Sequence, residues 1–334
     1  MRFGIFKKYI IAARKAAGQE RDMGSYCFGI DVGGTSVKCG LFRTDGTLLD
    51  KWEIPTRTEN NGEEILPDVA KTIEAKIQEK NLDKADIDGV GIGIPGPVNS
   101  RGEVACAVNL YWGFKAVAKE LGELTGLPAK AGNDANVAAL GEAWKGAAAG
   151  AQNVIMVTLG TGVGGGIIVD GKIVAGSHGA GGEVGHACIV HEEEEACNCG
   201  NRGCLEQYTS ATGIVRVAKR VLASTQKDRV LRKNSKFSAK SVLDAYKEGD
   251  EVAVEIMEEV GDKLGGALAV FACVIDPETI VVGGGVSKAG QPLVDCIQKY
   301  YKKYAFSLCK DVPIVIASLG NDAGIYGSAR MVLG

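Results

Sequence analysis

Long apolar runs, strong charge of either sign and repetitive tracts are all missing from this sequence. No apolar stretch reaches the roughly 18 residues that a membrane span requires, so neither a span nor a membrane partner is expected. The formal net charge is -3, with 38 Lys and Arg against 41 Asp and Glu, which leaves no broad basic surface to attract nucleic acid or anionic lipid. A G-x-x-x-x-G-K-[ST] loop is absent too, and with it a P-loop nucleotide site. Near the N-terminus Lys7 and Lys8 break up the apolar residues Phe3, Ile5, Phe6, Tyr9, Ile10 and Ile11, which argues against a signal peptide. Residues 1–24 read as an N-terminal extension, either a short surface helix or a mis-assigned start, since Met23 stands just before the first strand. These exclusions leave a small molecule as the expected partner.

Glycine is what the chain has in excess. There are 47 glycines in 334 residues, well above the usual share of about 7%, and most of the surplus stands in short clusters at the ends of apolar runs, where tight turns approach ligands. Of ten cysteines, three lie within eight residues, while Cys27, Cys39, Cys106, Cys188, Cys273, Cys296 and Cys309 are scattered mostly among apolar or helical segments. That distribution fits reduced thiols and a cytoplasmic location.

A chain of this length favours two lobes, and its patterns alternate between strand and helix in the α/β manner. Residues 26–32, 36–42 and 47–54 read as a three-stranded meander. A helix over 63–80, a buried strand over 89–94 and helices over 114–125 and 136–145 follow. The meander then repeats at 154–159, 164–169 and 172–175. A long helix over 251–274, strands at 279–282 and 312–318, and a terminal helix over 322–333 that can pack back across the lobes complete the pattern. The parallel predicts duplicated βββαβα units, with a small lobe at 25–137 plus 320–334 and a large lobe at 138–319.

Asp31-Val-Gly-Gly-Thr35 and Thr158-Leu-Gly-Thr-Gly162 fall in equivalent turns of the two meanders. A transferable phosphoryl group needs backbone N–H donors at close range, hence residues with little side chain. Gly33 and Gly34 allow close approach, Thr35 adds a hydroxyl, and Asp31 ends its strand where it can hold water on Mg²⁺. Lys38, on the next strand, belongs to the same nucleotide site. Thr158, Gly160, Thr161 and Gly162 can surround the β- and γ-phosphates. Either turn alone is more often a plain hairpin; the pair, in equivalent places of a repeat, carries the reading. Gly283-Gly-Gly285 is a third turn, with Gly284 and Gly285 set against adenosine or, as readily, serving simple strand-to-helix packing.

Ala131-Gly-Asn-Asp-Ala-Asn136 leads from an extended segment into a helix. Capping is enough to account for Asn136. Asp134 lies between the two phosphate turns in sequence, where a carboxylate can accept the proton of an attacking hydroxyl. Further on, His186 precedes Cys197-Asn-Cys-Gly-Asn-Arg-Gly-Cys204, and one imidazole with three thiolates, Cys197, Cys199 and Cys204, is a tetrahedral zinc set. All four positions are then protein, so the metal is structural, with zinc loop 186–204. His178 and His191 are other possible ligands, and Cys188 could replace one. His191 leads into four glutamates, 192–195, that read as a solvated loop.

Together these residues resemble the ROK family (repressors, open reading frames, kinases), most of all its glucokinase branch, over nearly the whole chain from Tyr26. The carriers are Asp31-Val-Gly-Gly-Thr35, Gly93-Ile-Pro-Gly-Pro97, Asn133-Asp134, Thr158-Leu-Gly-Thr-Gly-Val-Gly-Gly-Gly166, Gly182-Glu-Val-Gly-His186, Cys197 to Glu206, and Gly283-Gly-Gly-Val286. The resemblance implies an actin/hexokinase-like (ribonuclease H-like) fold with a cleft between two lobes, and an ATP- and Mg²⁺-dependent kinase acting on the 6-hydroxyl of glucose. It implies Asp134 as the general base and Gly96, Asn133, Glu183, His186 and Glu206 around the sugar. The zinc would fix the His186 ring so that its second nitrogen meets a hydroxyl. A homodimer or higher homo-oligomer is implied as well. Mannose, fructose, N-acetylmannosamine and N-acetylglucosamine are alternative substrates. A sugar-responsive repressor is the rival from another class, but such proteins carry a helix-turn-helix domain of roughly 60 to 80 residues, against about 25 residues before the first strand here. The extension and the acidic 192–195 loop depart from the family pattern.

Overall fold

The computed structural model describes residues 25–224 and 237–334; the expected N-terminal extension and its helix lie outside them. Strands β1 (Tyr26–Val32), β2 (Ser36–Arg43) and β3 (Leu48–Pro55) make the antiparallel meander. Helix α1 (Ile65–Glu79) leads to β4 (Ile87–Ile94) and α2 (Val117–Thr125) to β5 (Ala129–Asn133), both added in parallel beyond β1. After α3 (Asp134–Lys145) the pattern restarts with β6 (Val154–Leu159), β7 (Val163–Val169) and β8 (Lys172–Ile173). Helices α4 (Ala211–Ser224), α5 (Ala239–Lys247) and α6 (Glu251–Ile275) precede β9 (Thr279–Gly283). Then come α7 (Gln291–Tyr304), β10 (Ile314–Ile316) and α8 (Ala323–Val332). The sheets run β3-β2-β1-β4-β5 and β10-β9-β6-β7-β8. Read from the matching end these are one topology, so the duplication expected from the two meanders extends to the parallel strands.

Strand alternation decides what each sheet face meets. Phe28, Ile30 and Val32 enter a core with Ile65, Val69 and Ile73 of α1 and Val117 and Leu121 of α2. Cys27 turns the other way and clusters with Ile325 and Ala329 of α8. In the second sheet Ile155, Val157 and Leu159 join the large core of α4 to α7, while Val154 and Met156 pack on Ala139, Leu140 and Ala143 of α3. The helix that follows each sheet's last strand therefore covers the other sheet, and the two exchanged helices lie against each other.

This arrangement needs close backbone approach. A Cβ on Gly29 would come within 1.9 Å of the Ile325 carbonyl oxygen, and one on Gly91 within 1.7 Å of that of Ser328. Where α3 and α8 cross, a Cβ on Gly327 would lie 1.5 Å from the carbonyl oxygen of Val137. Part of the glycine surplus thus serves helix packing. Near the end of α3 the carboxylate of Glu142, fully buried, accepts from Ala147 N at 2.7 Å, Ser318 N at 3.1 Å and Leu319 N at 2.8 Å. One side chain thereby joins the segments by which the chain leaves α3 and approaches α8.

Three local expectations shift. Residues 114–116 are not helical: Phe114 stands 72% exposed, and Lys115 pairs with Val104 in an isolated bridge. The cap of α3 is Asn133, whose Oδ1 accepts from Asn136 N at 3.1 Å, so Asn136 is inside the helix. The meander's last strand, β8, is only two residues long. Among the described residues no helix is long and apolar enough to cross a membrane.

Candidate active site

The exchange of helices builds the site. Asp31 ends the row of β1 that faces α8, and a Cβ on Gly324, in the first turn of α8, would lie 2.5 Å from its carboxyl carbon. Thr158 ends the row of β6 that faces α3, near Ala135 in that helix's first turn: a Cβ on Gly164 would touch both side chains. Each lobe thus brings a strand end to the N-terminus of an exchanged helix, where backbone N–H groups are unpaired and the dipole is positive. Between them is a cleft of about 740 Å³ lined by Asp31, Lys38, Gly96, Asp134, Thr158, Gly160, Gly162, Glu183, Glu206 and Gly284. Gly33, Gly34, Thr35, Thr161 and Gly285 are not on its lining. Gly34, Thr35, Thr161 and Gly285 are exposed. Gly320, Asn321 and the loop residues Cys106, Val108 and Asn109, which the sequence reading did not single out, do line it.

Asp134 occupies the first position of α3. Its Oδ1 accepts from Ala135 N at 2.8 Å and Asn133 Nδ2 at 3.0 Å. Burial raises its pKa, and those hydrogen bonds oppose the rise without cancelling it. Asp31 is raised to about 6, by burial first, with Lys38 lowering it and Asp134 adding to the rise. Asn133 is occupied on both sides of its amide: besides capping α3, it donates to the Gly96 carbonyl oxygen at 3.1 Å.

His186, Cys197, Cys199 and Cys204 bring one donor atom each to within 4.8 Å of one another. Cys199 Sγ and Cys204 Sγ are 3.7 Å apart, and Cys197 Sγ is 3.9 Å from His186 Nδ1. A tetrahedral zinc with thiolates at about 2.3 Å has edges of about 3.8 Å, so the donors fit that ion. His178, His191 and Cys188 are outside the cluster; Cys188 Sγ lies 3.6 Å from His191 Nδ1 instead. Glu206, just past the loop, links it to the turn at 158–162: its Oε2 accepts from Val163 N at 2.9 Å, and its Oε1 is 3.7 Å from Cys197 Sγ. His186 itself is not on the cleft lining.

The acidic stretch is only partly solvated, contrary to expectation. Glu193 accepts from Arg216 Nη2 at 2.6 Å and from the Tyr208 hydroxyl, and Glu195 accepts from Arg216 Nε at 2.8 Å. Burial works against the ionised Glu193, yet bonds from Arg216 and Tyr208 hold its pKa down at about 2. These contacts fasten the cysteine loop to α4. Arg216 is twenty residues and more from both glutamates, so nothing local in the sequence pointed to the pairing.

Two mixed sheets of one topology, covered by exchanged helices and separated by a cleft, define an actin/hexokinase-like protein. Residues 27–334 match the model of the ROK family, and the chain belongs to that family. It is 40% identical over 309 residues to a glucokinase of Halalkalibacterium halodurans, covering 91% of this chain and 94% of the relative. A ROK hexokinase from Thermus thermophilus superposes with a TM-score of 0.75 at 29% identity, covering 92% of this chain and 97% of that one. A ROK glucokinase from Streptomyces griseus, solved with glucose and AMPPNP, does so with a TM-score of 0.67 at 32% identity, covering 91% and 98%.

Proposed function

We propose that this chain is an ATP-dependent glucokinase that transfers the γ-phosphoryl group of ATP to the 6-hydroxyl of glucose. The observation that carries the proposal is Asp134: a desolvated carboxylate on the cleft wall beside a turn of backbone donors, in a chain similar to glucokinases along nearly its whole length. With Oδ1 held by Ala135 and Asn133, Oδ2 is the oxygen left to accept a proton. It takes the hydroxyl proton as the sugar oxygen attacks the γ-phosphorus; the bond to the β,γ-bridging oxygen breaks, and ADP leaves. The turns at 31–35 and 158–162 hold the phosphates, with Lys38 beside the first and Gly284 and Gly285 toward the adenosine.

Asp31 is the residue to hold Mg²⁺ through water, and that ion supplies neutralisation of the phosphate charge. Gly96, Glu183 and Glu206, on the cleft lining, are the residues to meet the sugar, and Asn133 acts by holding Gly96 and Asp134. His186, Cys197, Cys199 and Cys204 are the residues to hold zinc, whose part is to order the loop and orient the imidazole. With Nδ1 toward the thiolates, Nε2 is the nitrogen available for a sugar hydroxyl once the lobes, 25–137 with 320–334 and 138–319, close and exclude water.

The test is ADP release by wild type and Asp134→Asn. The variant is expected to lose about 10²- to 10⁴-fold in turnover, the usual worth of a positioned base, with little change in nucleotide binding. Undiminished turnover would remove Asp134 from the mechanism. A panel of hexoses and N-acetylhexosamines checks the substrate: a kcat/KM for another sugar well above that for glucose would replace the named acceptor and leave the base in place.

A further inference from the structure

The sequence gives Asn136 no task beyond capping, and in the structure Asn133 performs that task. Asn136 is nevertheless only 3% exposed, and its amide is committed across the fold: Nδ2 donates to the Gly181 carbonyl oxygen at 2.9 Å. That acceptor settles which end of the amide is nitrogen. The other end, Oδ1, has no hydrogen-bond partner among the described residues and stands against Gly182, where a Cβ would come within 2.9 Å of it. Gly182 has a φ of +90°, so backbone conformation and the asparagine both call for glycine there. A buried acceptor left unmet costs stability, and an apolar side chain would fill the place without that cost. Packing therefore does not account for Asn136.

What Asn136 grips is the segment that carries Glu183 and His186. From Gly181 onward this segment is wound in tight turns, with Val184 N donating to the Gly182 carbonyl oxygen at 2.7 Å and His186 N to that of Glu183 at 3.1 Å. Its back lies on β7: a Cβ on Gly165 would be 2.6 Å from the Gly182 carbonyl oxygen, and one on Gly185 2.1 Å from that of Val163. A displacement at Gly181 is thus passed along to His186. On its other side Asn136 N donates to Asn133 Oδ1 at 3.1 Å, and Asn133 Nδ2 reaches the Gly96 carbonyl oxygen and Asp134. We propose that Asn136 is a positioning residue of the sugar site, setting Glu183 and His186 at a fixed offset from Asp134. The role rests on the kinase reading, in which those three residues meet the sugar. A sugar held between groups from two segments is sensitive to their spacing, since a misplacement of about 1 Å can cost about a hundredfold in rate.

The experiment is steady-state ADP release by the full, metal-loaded chain, wild type beside Asn136→Ala and the similarly shaped Asn136→Leu, with a denaturation midpoint for each. Both variants lose the donor to Gly181, which is only half-buried, so that water can reach its carbonyl. The KM for glucose is expected to rise about fivefold to tenfold, the worth of one hydrogen bond. The KM for ATP should keep its wild-type value, and kcat should fall less than the glucose KM rises, because Asp134 Oδ1 keeps its bonds from Ala135 and Asn133. The midpoint of Asn136→Leu should be no lower than that of wild type, which separates positioning from stability even where Asn136→Ala folds poorly. Failure of both variants to fold, an unchanged KM for glucose, or equal rises in the two KM values marks a merely structural residue and overturns the proposal. Wild type that phosphorylates no hexose removes the kinase reading and this role with it, so the two failures are told apart.

Discussion

Replacing Asp31 by asparagine should make the empty protein more stable while it disables the nucleotide site. Burial lifts the pKa of this carboxyl from 3.8 to about 6, despite the nearby Lys38. Folding therefore disfavours its charged form. The penalty is absent below the unfolded pKa, grows as pH rises through the interval between the two values, and is constant above the folded one. A difference of about 2 units corresponds to about 3 kcal/mol at full ionisation, an upper figure for a side chain that keeps some contact with water. Asp31→Asn is thus expected to raise the unfolding free energy by up to about 3 kcal/mol near pH 7.5, and by about half as much near pH 5. Guanidinium denaturation of the nucleotide-free chain at both pH values measures this, alongside ADP release. A variant no more stable than wild type near pH 7.5, or a gain that does not shrink near pH 5, refutes the reasoning. The gain in stability with loss of activity is the trade expected where a site stores unfavourable electrostatics for a ligand to relieve.

Wild type is expected to carry about one zinc per chain, and Cys199→Ser should lower that metal content, with a rise in the KM for sugar. Metal analysis and steady-state kinetics on one preparation test this, and metal loss with an unchanged KM would cut the link through His186. Glu142→Gln puts an amide group among three backbone donors and should destabilise the chain by about 3 kcal/mol, read from the denaturant midpoint; a neutral result would show that water takes over the donors. Gly327→Ala forces apart α3 and α8 where a Cβ would meet Val137 at 1.5 Å. A loss of about 3 kcal/mol is expected, and full stability would mean the crossing is looser than the backbone distances state.

What the sequence made legible was local. The meanders at 26–54 and 154–175 show in apolar runs cut by glycine turns, and their equivalence was enough to place Asp31 and Thr158 in matching positions. The cysteine spacing was equally direct, because His186 and Cys197 to Cys204 are near neighbours in the chain. What escaped depends on residues far apart in sequence. Glu142 reads as an ordinary helix glutamate until Ser318 and Leu319 come round to it. Glu193 reads as solvated until Arg216 arrives from α4. Gly29, Gly91 and Gly327 look like weak points of a strand or helix, and their need for bare backbone exists only where α8 is laid on the first sheet and across α3. The cap of α3 was placed on Asn136 because Asn133 and Asn136 both suit the position, and only the observed start of the helix chooses between them.

The crossing of α3 and α8 also bears on how the molecule can be divided. A break in the chain between α3 and β6 would leave the first part holding α3, whose apolar side fits the other sheet, and lacking α8, the cover of its own. The second part would have the opposite deficit. Each part would keep its large core but leave the other face of its sheet uncovered, so the boundary between the halves of the repeat is not a boundary between units that fold separately. The lobes are two working surfaces of one cooperative body, and any swing between them has to turn on the paired helices that hold that body together.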